Sequence, residues 1–399
     1  MTAADAGRTG AAVFGPARLG PLTLKNRIIK AATFEGAAPR GAVSDELVEF
    51  HRRMASGGVA MTTVAYLAVS PEGRTDRHCI VLGDESIPGL RRLTDAVHAN
   101  GAAASAQIGH AGPVANARSN GTPSVAPSRR LSATGSFTRA VTDSDMDRIT
   151  GEYRRGALAA VEAGFDCIEI HLGHNYLLSA FLSPKLNRRT DRWGGTLDNR
   201  ARFPRGVVAA VREAVGDRVA VTAKLNMADG VPGGFWLEES VAFARMLEVD
   251  GSLDALELTG GSSLSNPMYL FRGEAPRKEF AATLPAPVRL GFRAVGSRFL
   301  QEYPFEEAFF LPYARQFLDA VSLPLILLGG VNRLDTVEMA LREGFSFVAM
   351  ARALLREPDL VGRWEAGSTA EGLCIHCNKC MPTIYSGTRC VLVPPPGEG

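Results

Sequence analysis

Eight times along this chain an apolar run of strand length is followed by a stretch with helical periodicity. The runs are RIIKAATF (27–34), VAMTTVAYL (59–67), AAASAQIG (102–109), FDCIEI (165–170), RVAVTAKLN (218–226), LDALELTG (253–260), LPLILLGG (323–330) and FSFVAMA (345–351). Helical patterns follow at 44–56, from Ser86, from Thr142 to 163, at 199–215, 238–249, 311–321, 334–343 and 354–364. Thr142 and Asp145 have the spacing of a capping box at the start of the third helix. Near-continuous apolar character is what a strand needs when both faces of its sheet are covered. Eight alternating units close most simply into an α/β fold of the (β/α)8 TIM barrel type. A doubly wound sheet is the competing architecture, but no G-x-G-x-x-G occurs after the first strand or elsewhere.

The 399 residues are more than a typical single domain uses, yet a barrel accommodates most of them. Residues 1–12 read as a flexible leader, 13–373 as the barrel and 374–399 as a cysteine-rich tail. A formal net charge of +2 gives no reason to expect a polyanion, and no basic run interleaved with aromatics suggests nucleic acid. No apolar run approaches the ~18 residues of a membrane span. The first residues lack the apolar core of a signal peptide, so a cytoplasmic protein is expected.

In a barrel, the C-terminal strand ends form the active face. The polar residues there are Gln107 after strand three, His171, His174 and Tyr176 after strand four, and Lys224 and Asn226 after strand five. Gly260 and Gly261 follow strand six, Gly329 and Gly330 strand seven, and Arg352 strand eight. Two imidazoles three apart can donate to a carbonyl or phenolate oxygen, ligate zinc with a third partner, or serve only as hydrogen-bonded structure. Tyr176 either gives a proton to the same pocket or packs. Gly329, Gly330 and Arg352 stand where barrels bind phosphate, although a Gly-Gly pair also makes a plain turn.

The stretch HLGHNYLLSAFLSPKLNRRTDRWGGTLDNRARF, from His171 to Phe203, resembles the signature of the old yellow enzyme family of FMN-dependent oxidoreductases. LKNRIIKAA, AQIGHAG, LELTGG, PLILLGGVN and VAMARALLREPDL extend the resemblance from about Leu22 to Leu373. It implies FMN as cofactor and NADH or NADPH as reductant. It also implies hydride transfer through flavin N5 to an activated C=C of a small organic molecule. His171 and His174 match the pair that binds the substrate oxygen, and Tyr176 the proton donor. Gln107 matches the glutamine on the flavin pyrimidine edge, and Lys224 the cation near N1 and O2. Ala31, Ala32 and Thr33 match the backbone against the isoalloxazine. Gly329, Gly330, Ala351 and Arg352 fall in the phosphate loops. Phe34 stands where relatives carry Thr, Ser or Cys, and Asn175 where glycine is usual. Those departures leave open a tailoring oxidation, desaturation or isomerisation on the same flavin. From other classes, a flavin carrier without hydride chemistry and a metal-dependent barrel hydrolase compete.

The aromatic-rich section from Ser262 to Phe310 is far longer than the ~2–6 residues usual between a strand and its helix. It is expected to cover the pocket or to contact a second copy of the chain in a homo-oligomer, a surface hairpin without a role being the alternative. In the tail, Cys374, Cys377, Cys380 and Cys390 form C-x2-C-x2-C-x9-C. Four close thiols are expected to hold a [4Fe–4S] cluster, as on a similar motif in larger relatives, or zinc, or to remain a reduced knuckle.

Overall fold

The computed structural model describes residues 12–131 and 137–394, so the leader apart from Ala12 lies outside the described residues. The chain opens with an antiparallel hairpin of β1 (Ala17–Leu19) and β2 (Leu22–Leu24). Three barrel strands follow: β3 (Ile28–Phe34), β4 (Met61–Ala68) and β5 (Ala103–Gly109). A short parallel pair, β6 (Val125–Ala126) and β7 (Arg139–Ala140), lies in the loop beyond β5. The barrel resumes with β8 (Cys167–Leu172), β9 (Ala220–Asn226), β10 (Ala255–Thr259), β11 (Leu325–Leu328) and β12 (Phe347–Met350). These eight strands are hydrogen-bonded in that order and close on β3, all parallel. This is the (β/α)8 barrel the alternation predicts.

The interior follows from the two-residue period of a strand. At the strand starts the inward side chains are apolar or small: Ile29, Met61, Cys167, Ala220, Ala255, Ile326 and Phe347 pack together with Ala17, Leu19 and Leu24 of the hairpin. The hairpin therefore plugs the N-terminal mouth. Further along, the same faces turn polar. Gln107 pairs in register with Glu169, and His171 with Lys224, which in turn pairs with Glu257.

The capping box forms as expected. The Thr142 hydroxyl accepts from the Asp145 N–H at 3.1 Å, and the Asp145 carboxylate accepts from the Thr142 N–H at 2.8 Å. Two expectations need correction. β8 runs through Leu172, so His171 is a strand residue rather than the first residue after one. The last helix breaks into Arg352–Arg356 and Leu360–Glu365, because Pro358 cannot donate and holds Glu357 extended at φ −137°. The long section after β10 is largely helical, with helices at Met268–Phe271, Arg277–Thr283 and Ala286–Phe299. It has a small core of its own, in which Met268 and Leu300 meet Phe271, Phe280, Phe292, Phe299 and Met381 of the tail. No helix among the described residues is long and apolar enough to cross a membrane.

Candidate active site

At the C-terminal mouth, β8 delivers His171 inward and the chain then turns sharply. His174 and Asn175 both take left-handed backbone angles, with φ 58° and 61°. Each such non-glycine residue costs about 1–2 kcal/mol, less for asparagine, whose side chain tolerates that region. This accounts for the glycine usual at the Asn175 position. The turn is held by the Asn226 side-chain oxygen, which accepts from the His174 N–H at 3.1 Å, while Asn226 Nδ2 donates to Asp229 at 2.9 Å.

The turn brings three rings together. The His171 and His174 centroids are 5.0 Å apart, and His171 and Tyr176 4.5 Å. Tyr66, from β4, stacks on Tyr176 at 5.2 Å and donates its hydroxyl to the Gly73 carbonyl at 2.6 Å. His174 Nε2 lies 3.1 Å from the Thr259 hydroxyl of β10. Burial, then the fields of His174 and Lys224, holds the His171 pKa well below its usual value. Burial and Lys224 pull His174 down to about 3. Both imidazoles are therefore neutral at pH 7, and each has one N–H to donate. His171 Nδ1 is buried without a hydrogen-bond partner.

Beneath the rings lies a charge cluster. Lys224 bonds to Glu257 and lies 3.7 Å from Glu169, and all three side chains are buried. Gln107 donates to the same Glu169 at 2.5 Å. Burial would lower the Lys224 pKa, but Glu169 and Glu257 together raise it. Burial pushes Glu169 up to about 8, against Lys224 and with Glu257. One buried cation between two carboxylates keeps one of them readily protonated, since two unneutralised charges would be too costly to bury.

The other predicted positions divide. Ala32 packs with Phe34, Tyr66 and Tyr176, at the site. Ala31 is instead buried in the apolar interior below. The Thr33 hydroxyl is engaged by Lys30 at 2.9 Å and by Glu35 at 3.3 Å. Gly329 and Gly330 have φ 117° and 76°, and a Cβ on either would lie 2.6 Å from the ring of Phe310 or Phe309, so both need glycine. Ala351 precedes the helix that begins at Arg352. Arg352 donates to the Arg272 carbonyl at 2.9 Å and to Asn378, and no carboxylate among the described residues pairs with it. Cys374, Cys377, Cys380 and Cys390 are free thiols, and the first three lie close enough to Arg352 to oppose the drop that burial causes in its pKa. Among the described residues no three His, Cys, Asp or Glu side chains are placed to share one ion.

Sequence reasoning missed Glu169, Glu257 and Tyr66. The two glutamates had a signal: each is a lone carboxylate inside an apolar strand, IEI and LEL, two-residue spacing placing Glu169 on the face of His171. Tyr66 had none within its apolar run.

These residues fit FMN. Donors of the kind a pyrimidine edge needs converge at Gln107 and Lys224, and among the described residues the Arg352 guanidinium has no carboxylate, which suits a phosphate, and the buried His171 Nδ1 has no partner. Residues 12–253 match the model of the family described as NADH:flavin oxidoreductase / NADH oxidase. The chain is 61% identical to a 4,4'-dithiodibutanoate disulfide reductase of Rhodococcus erythropolis over 95% of this chain and 94% of that protein. It is 34% identical to a metal reductase of Desulforamulus reducens over 94% of this chain, but spans only 52% of that longer protein. Among solved structures, morphinone reductase in complex with tetrahydroNAD superposes with TM-score 0.68 at 26% identity, over 90% of this chain and 92% of that one.

Proposed function

The chain belongs to the NADH:flavin oxidoreductase / NADH oxidase family, that of old yellow enzyme, and on that premise we propose that it reduces a small organic disulfide. It is an FMN-dependent oxidoreductase drawing on NADH or NADPH. When bound, FMN supplies a two-electron carrier that accepts from the nicotinamide and gives to the acceptor.

The chain's own part concerns charge and protons. His171 and His174, neutral and adjacent, each offer an N–H to an atom that gains negative charge as electrons arrive, here a departing thiolate sulfur. Tyr176, 4.5 Å from His171 between ring centroids, stands where it can hand over a proton. The balance is NAD(P)H, one proton and R–S–S–R giving NAD(P)+ and two R–SH. The S–S bond breaks, and each sulfur ends with a proton. End-to-end likeness to the Rhodococcus disulfide reductase carries this reading. A second reading, reduction of an activated C=C, is favoured by the His171, His174 and Tyr176 triad, which offers the same help to an enolate oxygen.

Anaerobic half-reactions test both. The flavin bleached by NADPH should recolour on adding 4,4'-dithiodibutanoate and release two thiols per NADPH. Recolouring by cyclohexenone alone would select the alkene reading, and recolouring by neither would remove both. Tyr176→Phe should slow the acceptor step about 100-fold, the lower end of general-acid effects, and spare reduction by NADPH.

A further inference from the structure

The helical section after β10 carries a cation that neither the proposed chemistry nor the fold has used. Arg272 ends the helix Met268–Phe271 in the left-handed region, at φ 47° and ψ 145°. Arginine reaches that region only against steric resistance, so other contacts must hold it there. Two of them fasten its carbonyl, which accepts from Arg352 Nη1 at 2.9 Å and from Asn378 Nδ2 at 2.9 Å. A third fastens its own N–H, which donates to the Met268 carbonyl at 3.0 Å.

The side chain is held as firmly as the backbone. Its guanidinium carbon lies 5.0 Å from the Tyr269 ring centroid, 4.9 Å from that of Tyr303 and 5.5 Å from that of Phe309. Three aromatic faces orient a cation but accept few of its hydrogen bonds. Arg272 Nε is buried with no partner. Three of the five acidic groups of the same section are engaged elsewhere: Glu279 by Lys379 at 3.2 Å, Glu302 by Arg277 at 3.9 Å, and Glu307 by the Asn332 N–H at 2.7 Å. Among the described residues no carboxylate pairs with the Arg272 guanidinium or with that of Arg352, which is bound to the Arg272 backbone carbonyl.

The place of this cation matters. Phe309, which walls Arg272, also covers Gly330: a Cβ built on Gly330 would lie 2.6 Å from the Phe309 ring. Tyr269 lies as close to Gly230 and contacts Gly260, at the end of β10. The guanidinium is thus fixed beside the β10 and β11 strand ends, at the rim of the mouth. Buried donors that find no acceptor inside a protein are where a ligand is expected to supply one.

We propose that Arg272 is an anion-binding residue of the mouth, taking an oxyanion of a bound ligand in a site prebuilt by Tyr269, Tyr303 and Phe309. The oxyanion has two sources, the phosphate of FMN or a carboxylate of the acceptor, and both rest on the function proposed above. The aromatic cage makes arginine preferable to lysine, because a planar guanidinium stacks and still points N–H groups outward.

Arg272→Gln and Arg272→Lys, compared with wild type, test this. Apoprotein would be titrated with FMN and with riboflavin, which lacks the phosphate. Loaded enzyme would be assayed for KM with 4,4'-dithiodibutanoate and with its dimethyl ester. If the phosphate is held, Arg272→Gln weakens FMN at least tenfold and leaves riboflavin unchanged. If the carboxylate is held, FMN affinity stays and KM for the diacid rises at least tenfold, with the ester unaffected. Arg272→Lys should fall between the two, and it decides the matter if the glutamine variant does not fold. Wild-type values for both flavins and both acceptors, or equal losses for FMN and riboflavin, overturn the proposal. A wild-type apoprotein that binds no FMN would instead remove the functional reading beneath it.

Discussion

The barrel mouth and the cysteine tail hold the two densest sets of reactive side chains in the chain, and they are built in opposite ways. The mouth draws Tyr66, Gln107, Glu169, His171, Lys224, Glu257 and Thr259 from five strands spread over nearly two hundred residues. Yet parallel register puts them within hydrogen-bonding or ring-contact distance. The tail concentrates four cysteines between Cys374 and Cys390 as free thiols near one another, three of them near Arg352, although among the described residues no three ligand groups are placed to share an ion. Closeness in sequence gathers the tail thiols, whereas a shared strand face gathers the groups of the mouth. Side chains two apart on neighbouring strands have few orientations open to them, and side chains on an irregular segment have many.

The contrast can be broken most forcefully at Lys224. Lys224→Met would leave Glu169 and Glu257 buried without their cation and should destabilise the fold by about 3–5 kcal/mol, read as a loss in denaturant or thermal unfolding. A loss under about 1 kcal/mol would mean that the mouth is no more rigidly coupled than the tail. Next comes His171→Ala. Removing one donor to developing charge should lower acceptor turnover about 100- to 1,000-fold while bound flavin stays stoichiometric. Unchanged turnover would place the imidazole in a structural role.

A smaller effect should appear with pH. The folded-state pKa of His174 lies at about 3, below its ordinary 6.5, so the unfolded chain binds more protons between those values. Stability from this group is present above pH 6.5 and is lost as pH falls toward 3. His174→Asn should flatten that acid limb, and a limb of unchanged slope would assign the loss to other groups. The smallest change is expected from the tail. Cys377→Ser should leave flavin content and acceptor turnover within about twofold, as for a substitution away from the working site. Metal analysis of anaerobically purified protein sharpens this: stoichiometric zinc or iron that vanishes in the same variant would make the tail a preformed site after all.

Much of the mouth could be read from residues alone. His171, His174, Gln107 and Lys224 stood out because polar groups at the ends of apolar strands contradict burial unless a pocket receives them. The glutamates beneath them carried only the signal of a lone carboxylate inside an apolar strand, whose meaning is fixed by its cross-strand partner, and register is not written locally. Ala31 shows the same limit. It shares a motif with Ala32, yet adjacent strand residues point to opposite sides, and only Ala32 packs beside Tyr66 and Tyr176.

The sequence by itself determined the barrel, its eight strands and the polar end where chemistry gathers. Periodicity and burial are local, repeated signals that accumulate along the chain. Tertiary structure alone decided that Lys224 sits between two carboxylates, that both imidazoles are neutral, and that Arg272 is caged beside Gly330 with no carboxylate partner among the described residues. Each of those depends on distances between segments far apart in the chain, and on water being excluded once they meet.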